Sequence, residues 1–352
     1  ERIAIGVIRI NIVKNKYMNL RILNIRKATD EEWDYIWQQC DYSTYFHSRQ
    51  WSEIWSEYTE SEMVPDPQMI IFSDGKCALV PFSAQKGFLK TFFSSPAGTY
   101  GGWISTHVLN AEHTQLLSEY MIHLKGAIFW RLNPYYPHYN QMRVRSYRKD
   151  ETHSLNLENE FTAIVNLSTK GHKSAANKAR RVGVTSRLAC TTLDWEAYFS
   201  LYLDSLDRWG DKATSRYSWR LFEILSHFDS DKVKLWLAEY QGHIIAGTLC
   251  FYARKHVVYW HGAASGDFFY LRPVHLLVYN AVKNARESGA TWFDFNPSGG
   301  HEGVIKFKRG FGTKTLPSDT IVKYTVRTYL VKEAKKCLYR IQKVYKILSQ
   351  PN

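Results

Sequence analysis

Apolar and polar positions along this chain predict a definite order of elements. Leu20 to Ile25 reads as a first strand, and Thr29-Asp30-Glu31-Glu32 opens a helix, with Thr29 as a capping residue and acids in the first turn. Phe46-His47-Ser48 leads into a second helix, where Trp51 and Trp55 lie four apart and share one face. Met69 to Phe72 and Cys77 to Phe82 flank Asp74-Gly75, a pair suited to the positive φ of a primed hairpin turn. The small-residue loop from Ser94 to Gly102 can bring backbone close to a ligand. A helix over Ala111 to Leu124 and a buried strand over Ala127 to Leu132 follow.

His138 to Asn159 is polar and without a sustained period, which suits a connection. Beyond it the order recurs. Phe161 to Val165 reads as a strand, Ser168 to Arg181 as a basic helix, and Val184 to Leu188 as a strand. Helices near Trp195 to Leu206 and Trp219 to Phe228 precede a hairpin, Val233 to Tyr240 and His243 to Tyr252 about Gln241-Gly242. Val257 to Ala263 extends that meander, Pro273 to Arg286 is an amphipathic helix stopped by Gly289, and Trp292 to Phe295 returns to the sheet. Both halves thus read helix, helix, hairpin, helix, strand. The pattern predicts a duplicated α/β unit, each half a mixed, twisted sheet flanked by helices. Residues 18–155 and 156–320 form the two units. A long basic helix from Thr325 to Leu348 within 321–352 completes the first, and residues 1–17 are read as an extension ahead of Met18.

Composition narrows the class. An apolar fraction of 45%, with 15% aromatic residues, supplies an ample core and excludes general disorder. The formal charge of +13 points to anionic partners: nucleic acid, phosphate-bearing metabolites or an acidic membrane surface. Five scattered cysteines without a Cys-x-x-Cys pair argue against a zinc site or a disulfide framework, and for a reducing cytoplasm. No run approaches the length of a membrane span.

Candidate chemistry concentrates between Thr291 and Lys314. The apolar run Thr291-Trp292-Phe293-Asp294-Phe295 ends in Asn296-Pro297-Ser298-Gly299-Gly300, and Lys306, Phe307, Lys308, Arg309 and Phe311 follow. A strand end delivered into a glycine turn and then into fixed cations suits an anionic or developing-anionic group; a basic surface loop with two anchoring phenylalanines is the plainer reading. Lys173, Asn177, Arg180 and Arg181 approximate one helix face that could track phosphates, though such a run more often forms a solvated face. The C-terminal basic stripe is read first as solvated, with nucleic-acid or peripheral membrane contact as the minor alternative. His-Glu-x-x-His and Gly-x-Ser-x-Gly do not occur. Gly171-His172-Lys173-Ser174 lacks the earlier glycine of a phosphate loop, and His301-Glu302 has no partner for a metal.

The second half resembles the FemABX family and its close relatives, acyltransferases built from two tandem GNAT-like domains. The resemblance rests on Ser174 to Val184, on Asp207-Arg208-Trp209-Gly210, and on Gly303-x-x-x-Phe307-Lys308-x-x-Phe311-Gly312; in the first half, Tyr45-Phe46-His47-Ser48-x-x-Trp51 and Gly98 to Gly102 match more loosely.

The resemblance implies transfer of an activated acyl group to an amine, from aminoacyl-tRNA to a peptidoglycan-type envelope precursor or peptide. Neither a metal nor a bound cofactor is expected, the donor being a co-substrate. Lys308 would stabilise the oxyanion with Phe307 beside the tRNA end. Arg208 would belong to the acceptor pocket, to which Tyr217, Tyr100 and Trp55 are also assigned. Lys306, Arg309, Lys173, Asn177, Arg180 and Arg181 are assigned to the donor and its phosphates. Two departures matter. Trp55 stands where family members that hold a nucleotide-linked muramyl peptide carry lysine, which argues against that acceptor. Gly266 to Pro273 lacks the paired glycines with which CoA-dependent GNAT enzymes cradle pyrophosphate. An acyl-CoA-dependent N-acyltransferase on the same fold, and a non-catalytic binder of RNA or anionic glycans, are the alternatives.

Overall fold

The computed structural model describes residues 20–85, 90–145, 148–210, 213, 215–228 and 231–325. The first half runs β1 (Ile22–Lys27), α1 (Asp30–Gln39), α2 (Arg49–Tyr58), β2 (Met63–Phe72), β3 (Cys77–Gln85), β4 (Thr91–Phe93), β5 (Tyr100–Gly101), α3 (Ala111–His123) and β6 (Ala127–Leu132). The second continues with β7 (Glu151–Asn156), α4 (Phe161–Leu167), α5 (Lys170–Arg181), β8 (Thr185–Leu188), α6 (Thr192–Trp209), α7 (Trp219–His227), β9 (Val233–Tyr240), β10 (His243–Tyr252) and β11 (His256–Ala264). Then come α8 (Pro273–Glu287), β12 (Trp292–Asp294), α9 (Glu302–Arg309), β13 (Lys314–Pro317) and β14 (Thr320–Lys323).

Local chemistry sets these boundaries. Thr29 and Glu32 close a reciprocal capping box at the start of α1, each side chain accepting the other's backbone N–H. Gly75, at φ +83°, turns the β2–β3 hairpin. Strands β2 to β4 and β9 to β11 form antiparallel meanders. In each half a helix then carries the chain back to a parallel pairing, β4 with β6 and β11 with β12. Among the described residues, the repeat predicted from the hydrophobic pattern is therefore present as two seven-stranded mixed sheets.

Three expectations change. Residues 138–159, read as a connection, contain β7, which pairs with β12 and β13, so the second sheet begins inside the stretch assigned to the first unit. Its Thr152, His153 and Ser154 are buried but polar, so no apolar alternation marks them. Phe161 to Val165, read as a strand, lies in helix α4, where Ile164 is the buried residue. Of the stretch 321–352, the described part contributes to β14, which pairs antiparallel with β6 and extends the first sheet. The expected helix from Thr325 to Leu348 falls outside the described residues apart from Thr325, as does the extension 1–17.

The two halves share one core. Trp33, Trp37, Tyr45, Trp51 and Trp55 of the first pack into the same cluster as Tyr198, Phe222, Leu249 and Phe251 of the second. Ring contacts cross the seam between Tyr45 and Phe251 and between Trp51 and Trp260. The Ser43 carbonyl accepts from His256 Nδ1 at 3.0 Å.

Candidate active site

Strand β12 delivers Asp294 to the seam between the halves. The carboxylate is fully buried and gathers four donors: Tyr100 Oη at 2.9 Å, Thr152 Oγ1 at 2.8 Å, the Asn296 N–H at 2.5 Å, and the Tyr135 hydroxyl. Burial pushes the Asp294 carboxyl above its ordinary range, and these donors oppose the shift. Asn296 follows at φ +59°, a left-handed conformation that asparagine tolerates better than most residues. Its carbonyl turns toward α9.

Lys308, in the last turn of α9, is only 6% exposed. Its Nζ donates to the Asn296 carbonyl at 2.6 Å. Burial lowers its pKa to about 8, against the pull of the Asp294 and Asp150 carboxylates. A desolvated ammonium fixed at the end of a strand is a strong electrostatic stabiliser of negative charge forming beside it.

The other assigned residues fall into three groups. Phe307 packs against Phe311 at 5.1 Å and His275 at 5.2 Å between ring centroids. Its carbonyl accepts from His172 Nε2 at 2.9 Å, which ties α9 to α5. The close approach depends on Gly310, where a Cβ would lie 2.1 Å from the His172 ring.

Trp55 and Tyr217, assigned to the acceptor, meet at 6.0 Å, and Tyr217 stacks on Trp260 at 5.4 Å. Trp260 in turn offers its carbonyl to Asn296 Nδ2 at 3.5 Å, so this aromatic row abuts the lysine's own turn. Tyr100 is fully buried, its hydroxyl committed to Asp294. Arg208 stands apart, at the far end of β11. It donates to the Ala264 carbonyl at 2.6 Å and lies over the Phe269 ring. Ala264 lies four positions beyond Trp260 along that strand, a rise of about 13 Å.

Among the donor assignments, Lys173, Asn177, Arg180 and Arg181 line one surface hollow along α5, together with Lys170 and Ser174. Lys306 is exposed on α9, whereas Arg309 reaches back to His153 Nε2 at 3.2 Å and Glu151 at 3.3 Å. Among the described residues, no group of three or more His, Cys, Asp or Glu side chains is placed to share a metal ion.

Sequence reasoning assigned no role to Asp294, Tyr135, Thr152, Asn296 or Trp260. A carboxylate inside the apolar run Trp292-Phe293-Asp294-Phe295 was the available signal, because a buried charge needs partners. The hydroxyls that supply them come from distant segments.

Comparison with known proteins bears on the fold. Residues 169–309 match the family described as Acetyltransferase (GNAT) domain. The Lipid II:glycine glycyltransferase of Staphylococcus epidermidis is 34% identical over 91 residues, which is 24% of this chain and 22% of that protein. Its Staphylococcus aureus counterpart is 34% identical over 80 residues, 21% and 19% of the two chains. The matched stretches thus span about a fifth of those relatives. The crystal structure of FemX shares the fold with a TM-score of 0.64 and 14% identity, across 84% of this chain and 97% of that one. The two-unit GNAT-like architecture expected from the resemblance is therefore the observed one. The chain thus shares the fold of FemX, its residues 169–309 match the GNAT acetyltransferase domain family, and a shorter stretch is similar to the staphylococcal glycyltransferases.

Proposed function

We propose that the protein is an acyltransferase that forms an amide bond, moving an aminoacyl group from aminoacyl-tRNA to an amine of a peptidoglycan-type envelope precursor or peptide. One observation carries the reading: a lysine ammonium withdrawn from water where the two halves meet, at the mouth of a strand. The acceptor amine attacks the ester carbonyl, a C–N bond forms, and negative charge gathers on the carbonyl oxygen. Lys308 stabilises that oxygen. Such an interaction supplies about 3–4 kcal/mol when the site excludes water. As the C–O bond to the ribose breaks, the proton released by the amine passes to the departing oxygen, and no covalent enzyme intermediate is needed.

The hollow along α5 supports an RNA donor, since four of its six lining residues are lysine or arginine. The staphylococcal relatives, named for glycine transfer to lipid II, support an envelope acceptor. This reading puts the reaction in the cytoplasm, where charged tRNA is made.

An acyl-CoA donor is the second reading, favoured by the match to the GNAT acetyltransferase family. Against it, the turn before α8 ends in Arg272 at φ +61° and enters the helix through Pro273, which lacks an N–H to offer a pyrophosphate. Incubation with a mixed pool of charged tRNAs and acyl-CoAs decides between them. Discharge of aminoacyl-tRNA, abolished in Lys308→Ala, supports the first reading. Discharge of acyl-CoA alone supports the second, and transfer that survives Lys308→Ala overturns both.

A further inference from the structure

We infer that Asp294 is a positioning residue for Lys308, and that the hydroxyls of Tyr100 and Tyr135 carry this positioning across the seam from the first half. The inference rests on the proposed role of Lys308 and deepens it. Asp294 lies between Phe293 and Phe295, both buried, a setting in which a carboxylate survives only if its oxygens are satisfied. Three of its four donors are hydroxyls, drawn from β5, from the loop after β6 and from β7. The fourth is the Asn296 N–H, which pins the left-handed turn whose carbonyl receives Lys308 Nζ. Remove the carboxylate and the turn loses its anchor, and with it the ammonium loses its direction.

Charge points the same way. The groups that act on Lys308 are Asp294 and Asp150, and His153 on β7 lies in the field of Lys308 and Arg309. Asp150 is already paired with Arg131 at 3.0 Å. Asp294 is held by neutral hydroxyls and an amide, so its negative charge stays available to the lysine. Tyr100 and Tyr135 reach it only when the halves are docked, so the site is complete only in the joined molecule.

The test uses the full chain with Asp294→Asn, and separately Tyr100→Phe and Tyr135→Phe, each checked for folding by its melting transition. Competitive acetylation of Lys308 across pH, read by mass spectrometry, gives the titration midpoint of its amine. Discharge of a radiolabelled aminoacyl-tRNA pool gives kcat and KM. In Asp294→Asn the midpoint falls below its parental value, because a stabilising negative charge is gone. kcat falls about 10–100-fold with KM unchanged, the size of loss that a misdirected group produces. The tyrosine variants lower kcat in the same direction. A midpoint and kcat equal to the parent's overturn the inference, and so does a midpoint that rises toward that of an ordinary lysine, which reports local opening only. If Lys308→Met retains transfer, the catalytic reading and the positioning role fall together. If Lys308→Met is inactive while Asp294→Asn matches the parent, this inference alone fails.

Discussion

Tyr45 lies nearly flat against Phe251, with ring centroids 4.9 Å apart and planes 22° from parallel, and so joins the first half to the central strand meander of the second. Both rings are fully buried, and Phe46, Trp51 and Trp260 also pack around Phe251. Truncating Phe251 to alanine therefore removes a ring that both halves pack against. A destabilisation of about 3–5 kcal/mol is expected, the range for a buried aromatic deletion. Chemical denaturation followed by tryptophan fluorescence will show it. The parent should unfold in one transition, with both halves melting together.

Lys308→Ala is expected to lower the transfer rate by about 10²–10³-fold, as for loss of one preorganised oxyanion donor. The substitution removes the ammonium's desolvation cost but also leaves the buried Asp294 charge without its counter-ion and the Asn296 carbonyl without its donor, so stability must be read separately from rate. Single-turnover kinetics beside a thermal melt separates the two effects.

The pH dependence follows from the lowered pKa of Lys308, about 8. Only the cation stabilises an oxyanion, so the rate should fall as pH rises through that value. Stability moves the opposite way. Between about 8 and the ordinary lysine value the unfolded chain holds this proton and the folded one does not, so folding gains as pH rises across that window. Below it the cost of the buried charge is present in full. Denaturation midpoints on either side of the window, compared with those of Lys308→Met, isolate the effect.

Gly310→Ala should destabilise the protein by about 1–3 kcal/mol through overpacking. The His172 ring cannot step aside without giving up the Phe307 carbonyl and its packing on Phe311. Adding His172→Ala to the same chain should recover part of the stability, as a double-mutant cycle will show.

Charge reversal at Lys173, Arg180 and Arg181 should leave folding intact and weaken retention of tRNA. The salt dependence of binding should become shallower by about one unit in log–log slope for each phosphate that is no longer neutralised. Filter binding across a salt series measures it.

Much of the frame was legible in the residues. Asp74-Gly75 and Gln241-Gly242 located both hairpins, Thr29 located a helix start, and the repeated order of elements announced two related units. What escaped was polar burial. Thr152 and Ser154 sit inside the protein because Asp294 and Tyr135 await their hydroxyls, and hydropathy does not record such pairings. The continuity of the aromatic row through Trp55, Tyr217 and Trp260 was hidden as well. Trp55 and Tyr217 were assigned to the acceptor by resemblance, but Trp260, which joins them to the turn of Asn296, carried no signal of its own.

Strand β14 gives the assembly an order in time. Lys323 finds its partner at Ile128, so the edge of β6 stays unclosed on the ribosome until the whole second unit has emerged. A nascent first unit therefore presents a bare strand edge of the kind that invites neighbouring chains to add on. Separating the units by a cut between them would leave that edge open permanently.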